Sequence, residues 1–411
     1  MPNLTVSRRA VVGELIVAAA TVALSRRLLA EGTQDVPSRS PSLVRARFDG
    51  VTNFSGWRHL DVKIGSRPCV IVSVGGLSLA AVVDSGAGRT VLDWNVALKL
   101  GLVPHSGFRA GGFTGETEGG LVDGLSIRIG TLTLSGITAA VLDLATIAAA
   151  TGEPTGLILG SELFEQVIVD LDFPHERIGL FGPSGPRSPT GATRLPLQND
   201  GLERRNIPIQ VGGERPIQAL FDLGSDAPLY LSPQYVVDHR LLEGRKVSTV
   251  AGAGVEGITV SQIAVLPEIR LGNMVVRDVP VEVPPTWNQP SPAVVGSPVL
   301  GRFEIVTDYS RGALWLTADA TASQSPFIKD RSGIGAQRLA DRLRVIHVAR
   351  GSPAELVGLR IGDEIVAIDG HPIEPAYLLV HPRPGAGPAG KTLELTLSDG
   401  RRLKLTLADY F

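Results

Sequence analysis

Short apolar runs and apolar–polar alternations, broken every few residues by glycine or proline, make up most of this chain. That period predicts strands and tight turns rather than amphipathic helices. Two stretches show it most clearly. "VIVSVGGLSLAAVVDSGAGRTVL" (70–92) and "IPIQVGGERPIQALFDLGSDAPLYL" (207–231) run in one order: an alternating strand, a Val-Gly-Gly hairpin turn, a second strand, Asp-x-Gly-small, and a further apolar run. Downstream of each lies a second shared pair, "LILGSELFEQVIVDLDF" and "AVVGSPVLGRFEIVTDY". Gly160-Ser161 precedes Asp172-Phe173 by twelve residues, as Gly296-Ser297 precedes Asp308-Tyr309. Asp84 stands 76 residues before Gly160 and Asp222 stands 74 before Gly296. Four landmarks at matching spacing mean a duplicated β-rich lobe.

Duplicated lobes pack about an approximate two-fold axis, which brings equivalent residues together near the axis. Here these are Asp84 and Asp222. Two carboxylates a few Å apart cannot easily both ionise, so they share a proton and one pKa rises. The ionised member can take a proton from a water held between them while the protonated one polarises a carbonyl, which gives direct hydrolysis without an acyl-enzyme. Gly86, lacking a Cβ, lets the loop turn sharply and approach the other lobe. Ser85 can tie the two loops by a side-chain hydrogen bond.

Composition narrows the alternatives. The 48 glycines and 29 prolines among 411 residues fit a mainly β chain, long enough for two or three domains. A formal net charge of −2, with no basic run, gives no electrostatic case for a nucleic-acid partner. The single Cys69 excludes an intrachain disulfide framework and a CxxC site. The seven histidines form no HExxH or HxH pattern, and no Gly-x-Ser-x-Gly elbow is present, so neither a metal nor a cofactor is expected. Gly252-x-Gly254-x-x-Gly257 mimics a dinucleotide fingerprint, but the "ITV" after it predicts a strand where that motif needs a helix.

On Asp84-Ser85-Gly86-Ala87 with Ile158-Leu159-Gly160, and Asp222-Leu223-Gly224-Ser225 with Val294-Val295-Gly296, the chain resembles aspartic peptidases of the retropepsin and pepsin type. More narrowly, it is similar to bacterial single-chain retropepsin-like proteins with a C-terminal PDZ domain. The resemblance implies Asp84 and Asp222 as catalytic residues of an aspartic endopeptidase, supported by Ser85, Gly86, Ala87, Leu223, Gly224 and Ser225. Leu223 departs from the pattern, since the family carries there a hydroxyl that cross-links the active-site loops. Restoring it as threonine is expected to stiffen that loop. The alternative function is a catalytically impaired peptide-binding scaffold on the same fold. The resemblance also implies two flaps over an extended peptide or protein substrate, at Gly111, Gly112, Phe113, Thr114 and Gly115, and at Gly252, Ala253 and Gly254.

"LRVIHVARGSPAELVGLRIGDEIVAIDGHPI" (343–373) resembles a PDZ domain, a module that adds a peptide strand to a sheet edge and receives its carboxylate on backbone amides. Gly333, Ile334, Gly335 and Ala336 are the candidate carboxylate loop. At the other end, Arg8-Arg9 precede a mostly apolar run over residues 11–24, too short to span a bilayer comfortably. The Ser7-Arg8-Arg9 start resembles a twin-arginine export signal, so a periplasmic or secreted location is expected, with no stable membrane span. The expected organisation is an export signal over 1–30, a linker or pro-segment over 31–58, and retropepsin-like lobes over 59–183 and 194–317. A polar linker over 318–332 and a PDZ domain over 333–411 complete it.

Overall fold

The computed structural model describes residues 16–17, 43–50, 52–61, 67–111, 116–145, 155–185, 189–254, 257–319, 324–374, 377 and 383–411. In the first lobe, Cys69–Val74 and Leu77–Val83 pair antiparallel around Gly75 and Gly76, both at positive φ (55° and 85°). Two consecutive left-handed residues form the tight turn whose twist matches paired strands, and glycine takes that conformation without a Cβ penalty. Val70, Val72 and Val74 point into the core from alternate positions. Leu77–Val83 then pairs parallel with Leu157–Leu159, which also pairs antiparallel with Val91–Asp93. Between those two neighbours the chain makes the turn that carries Asp84.

The second lobe repeats these connections. Arg205–Val211 and Ile217–Asp222 pair antiparallel, with Gly212 and Gly213 again at positive φ (59° and 83°). Ile217–Asp222 runs parallel to Ala293–Gly296, which is antiparallel to Leu229–Leu231. The two lobes meet in a six-stranded sheet whose central pair is Ile168–Asp172 against Phe303–Asp308, antiparallel, with Leu171 opposite Ile305. These are the two strands that follow the repeated Gly-Ser pairs. Asp172 and Asp308 end them and cap the next short turn, accepting from the His175 and Arg311 amides. Burial works against the Asp172 charge, but hydrogen bonds from His175 and Arg177 outweigh it and hold the carboxyl below its ordinary range. One continuous apolar core runs through both lobes, while the C-terminal domain has its own around Val345, Ile365, Leu395 and Leu405. The fold is mainly β, as the alternations imply.

Two segments expected to be connectors are ordered parts of the protease lobes. Arg45–Phe48 pairs with Leu132–Leu142, and Arg58–His59 pairs with Arg177–Phe181 beyond the bridge Phe54–Phe181, so residues 45–48 extend the first lobe and residues 54–59 the central sheet. Within the polar stretch before the PDZ domain, Phe327 is buried in the main core beneath the Arg302 guanidinium, which lies 3.8 Å from its ring centre. The apolar ring, not the composition around it, decides that this stretch packs. The expected export signal lies outside the described residues except for Ile16–Val17, whose backbone pairs parallel with Gly252 and Ala253. No helix among the described residues is long and apolar enough to cross a membrane.

Candidate active site

Asp84 directly follows the strand Leu77–Val83 and Asp222 ends the equivalent strand Ile217–Asp222, and the meeting of the lobes sets each carboxyl against the glycine of the other loop and beside its counterpart. They are 1% and 0% exposed. Asp84 Oδ1 accepts from the amides of Gly86 (2.8 Å) and Ala87 (3.1 Å), and Asp222 Oδ1 accepts from Gly224 (2.9 Å). Burial, and after it the charge of Asp222, push the Asp84 carboxyl well above its ordinary range, against the opposing pull of the Gly86 amide and Arg67. One proton is therefore kept on the pair at pH values where an exposed aspartate would have lost it.

The glycines make this approach sterically possible. A Cβ on Gly86 would stand 2.4 Å from Asp222 Cγ, and one on Gly224 would stand 2.2 Å from Asp84 Cγ. Each carboxyl rests on the bare backbone of the opposite loop. Behind them, Gly160 and Gly296 allow a second close contact: their Cβ atoms would fall 2.4 Å from the Arg89 carbonyl carbon and 2.0 Å from the Ala227 oxygen. The repeated serines fasten the same loops, Ser161 Oγ donating to Gly88 O (2.8 Å) and Ser297 Oγ to Leu223 O (2.6 Å). Across the lobes, Ser85 Oγ donates to Phe221 O (2.7 Å) and accepts from the Leu223 amide (3.0 Å). Leu223 cannot return such a bond from its side chain. It is fully buried in the main core, so the position expected to lack support is filled by packing. Ala87 is buried in a smaller cluster with Val82 and Ile158, and Ser225 Oγ donates to Ala227 O at 3.3 Å.

Several neighbours have no signature in the motif. Arg67, 4% exposed, supplies positive charge near Asp84 from just before the first strand. Glu162 accepts from both the amide and the hydroxyl of Thr90 (2.8 and 2.9 Å), bracing the first loop. Arg205 pairs with Glu165 and lies 4.6 Å over the ring of buried Tyr309. Comparing the two Gly-Ser repeats singles out Ser161 and Ser297, whereas nothing in the local sequence distinguishes Arg67.

Both stretches expected to be flaps lie on antiparallel strand pairs. His105–Gly111 pairs with Glu116–Ile129, Gly111 being opposite Glu116, while Gly112, Phe113, Thr114 and Gly115 lie outside the described residues. Gly252, Ala253 and Gly254 end Ser248–Gly254, paired with Gly257–Leu271. In the PDZ domain the candidate carboxylate loop differs from expectation. Ile334, Gly335 and Ala336 belong to the strand Ile334–Arg338. The amides at its start are already engaged, Gly333 donating to Asp330 Oδ2 (2.6 Å) and Ile334 to Ser332 Oγ (3.1 Å). An internal carboxylate, that of Asp330, therefore occupies the amide at the start of the candidate loop.

Residues 70–163 and 207–301 match the family described as Aspartyl protease, once for each lobe, and residues 344–376 match the PDZ domain family. The chain thus carries two lobes of aspartyl-protease type followed by a C-terminal PDZ domain, an architecture that supports a protease-type function with peptide binding. No curated protein matches it.

Two substitutions test this geometry. Gly86→Ala must displace Asp222, at a cost on the order of 1–3 kcal/mol, so its Tm is expected to fall by several degrees with the chain still folded. An unchanged Tm would mean that the two loops do not touch as described. Leu223→Thr removes buried methyl groups and places a hydroxyl in the core, so thermal denaturation should show a loss of about 2 kcal/mol rather than the stiffening expected from a restored cross-link. A rise in Tm would show that the hydroxyl finds a partner across the lobes.

Proposed function

We propose that this chain is an aspartic endopeptidase that hydrolyses peptide bonds with a water activated by Asp84 and Asp222. The observation that carries this reading is the buried carboxyl pair at the meeting of two lobes, each member resting against the glycine of the other loop; burial and the neighbouring Asp222 raise the Asp84 carboxyl, which favours one shared proton. The ionised carboxylate takes a proton from water as the water attacks the scissile carbon. The protonated member donates to the carbonyl oxygen, and no covalent bond to the protein forms. The amides of Gly86, Ala87 and Gly224 fix the carboxyl planes, so little reorganisation is needed when charge moves between them. The hairpins ending near Gly111 and Gly254 belong to this reading as flaps that cover an extended substrate. Export to the periplasm or beyond is the compartment we assign to it, on the arginine pair and the short apolar run of the N-terminus.

Asp84→Asn and Asp222→Asn preserve shape, and each should lower cleavage of a broad peptide library by about a hundredfold or more. The unsubstituted protein should show a bell-shaped kcat/KM profile whose two apparent pKa values belong to the pair. Stability should change with the opposite sign. A carboxyl whose folded-state pKa is raised favours folding while protonated, and that contribution is lost as pH rises through the folded-state value. Asp84→Asn, which never ionises, is therefore expected to match or exceed the parent Tm at neutral pH, with the advantage disappearing below the unfolded aspartate range. Undiminished cleavage by either variant would remove the dyad from the reaction. Absence of any cleavage by the parent would favour the peptide-binding scaffold.

A further inference from the structure

The second flap does not stand free. On the hairpin Ser248–Gly254 and Gly257–Leu271, Ser248 Oγ donates to Arg350 O (2.6 Å), and Thr249 Oγ1 hydrogen-bonds His347 Nε2 (3.0 Å). Just before the hairpin, Lys246 Nζ donates to Asp409 O (2.7 Å). Val250 and Ile263 are buried against Ala349, Tyr410 and Phe411, and Ala251 and Ala253 pack on Ile346. Every one of these partners belongs to the C-terminal domain. Hairpins over a cleft ordinarily have few buried contacts so that they can open. This one is covered along most of its first strand.

The covering surface is wired to the occupied PDZ loop. Asp330, whose carboxylate takes the Gly333 amide and the Ser332 hydroxyl (2.7 Å), also accepts from the Tyr410 hydroxyl at 3.2 Å. Tyr410 is 4% exposed and belongs to the same buried apolar cluster as Val250 and Ile263. Arg331 Nε donates to Asp409 Oδ1 (2.7 Å), holding the same C-terminal segment from the neighbouring residue. A single acidic side chain thus holds both the Gly333 amide and the hydroxyl of the aromatic residue that is buried with the hairpin strand.

We propose that the PDZ domain is an intramolecular latch on the second flap, with Asp330 in place of a ligand carboxylate and Tyr410 as the link. A peptide carboxylate that displaced Asp330 from the Gly333 amide would withdraw the acceptor of Tyr410 and loosen the flap, coupling the two sites through one two-state contact. The consequence for cleavage rests on the protease reading. The mechanical claim does not, and its test uses no activity.

Amide hydrogen exchange of the full chain reads the latch directly. In Tyr410→Ala, peptides covering residues 248–266 should exchange at least tenfold faster, while the first-lobe strand Leu132–Leu142 keeps its parent rate. Should this substitution also unfold the PDZ domain, seen as fast exchange over Glu364–Ile368, the flap must still be released with the first lobe unaffected. Thr249→Val, which removes the hydroxyl that bonds His347 and the Arg350 amide on the flap side, should give a smaller change in the same direction. Unchanged flap exchange in Tyr410→Ala, or acceleration equal to that of Leu132–Leu142, would overturn the latch.

Discussion

Each of the two paired carboxyls, Asp84 and Asp222, rests against a glycine of the other lobe, and that reciprocal contact constrains everything around it. Neither Gly86 nor Gly224 has room for a single additional carbon, because the opposing Asp Cγ already occupies its place. Bringing two acids this close costs electrostatic energy, which is reduced by leaving a proton on the pair and by backbone amides aimed at the carboxylate oxygens. A rigid scaffold must then hold the arrangement. The central sheet, joining the lobes through Ile168–Asp172 and Phe303–Asp308, and the core continuous across both lobes supply that rigidity.

The two lobes share connections but not chemistry. Where the first lobe places Val91 opposite Ala140, the second places Tyr230 opposite Glu282 at the corresponding register. Burial, and after it the charge of Asp226, push Glu282 up to about 8, so it is buried largely as the neutral acid near pH 7. The first cross-lobe serine is retained as Ser85, and its counterpart is the buried Leu223. The hairpin strand Ser248–Gly254 is covered by the PDZ domain. Duplication preserved the dyad geometry, while the surroundings of Asp222 became specific to its own lobe.

The dyad and the repeat were legible in the sequence because their landmarks are residues that sterics allows nowhere else. Glycines at tight turns and close approaches, and aspartates at strand ends, keep their spacing when the rest of a lobe changes. What could not be read came from tertiary neighbours. Arg67 faces Asp84 only after folding, and no motif marks it. Arg45–Phe48 is four residues long with half its positions charged, so its pairing is decided by the adjacent strand and not by its own alternation. Phe327 sits in a polar stretch whose composition suggests a loose connector, and one buried ring outweighs it. Gly333 was expected as part of a carboxylate loop, but that its amide holds Asp330 depends on a side chain three residues away folding back.

The central claim is that two carboxyl groups forced together share one proton. A 13C NMR titration of the aspartate carboxyl carbons, assigned by comparison with the asparagine variants, reads that proton without substrate. The account predicts that Asp84 titrates well above an ordinary aspartate in the parent protein and moves downward in Asp222→Asn, remaining somewhat elevated by burial. An ordinary Asp84 titration that does not respond to Asp222→Asn would contradict it.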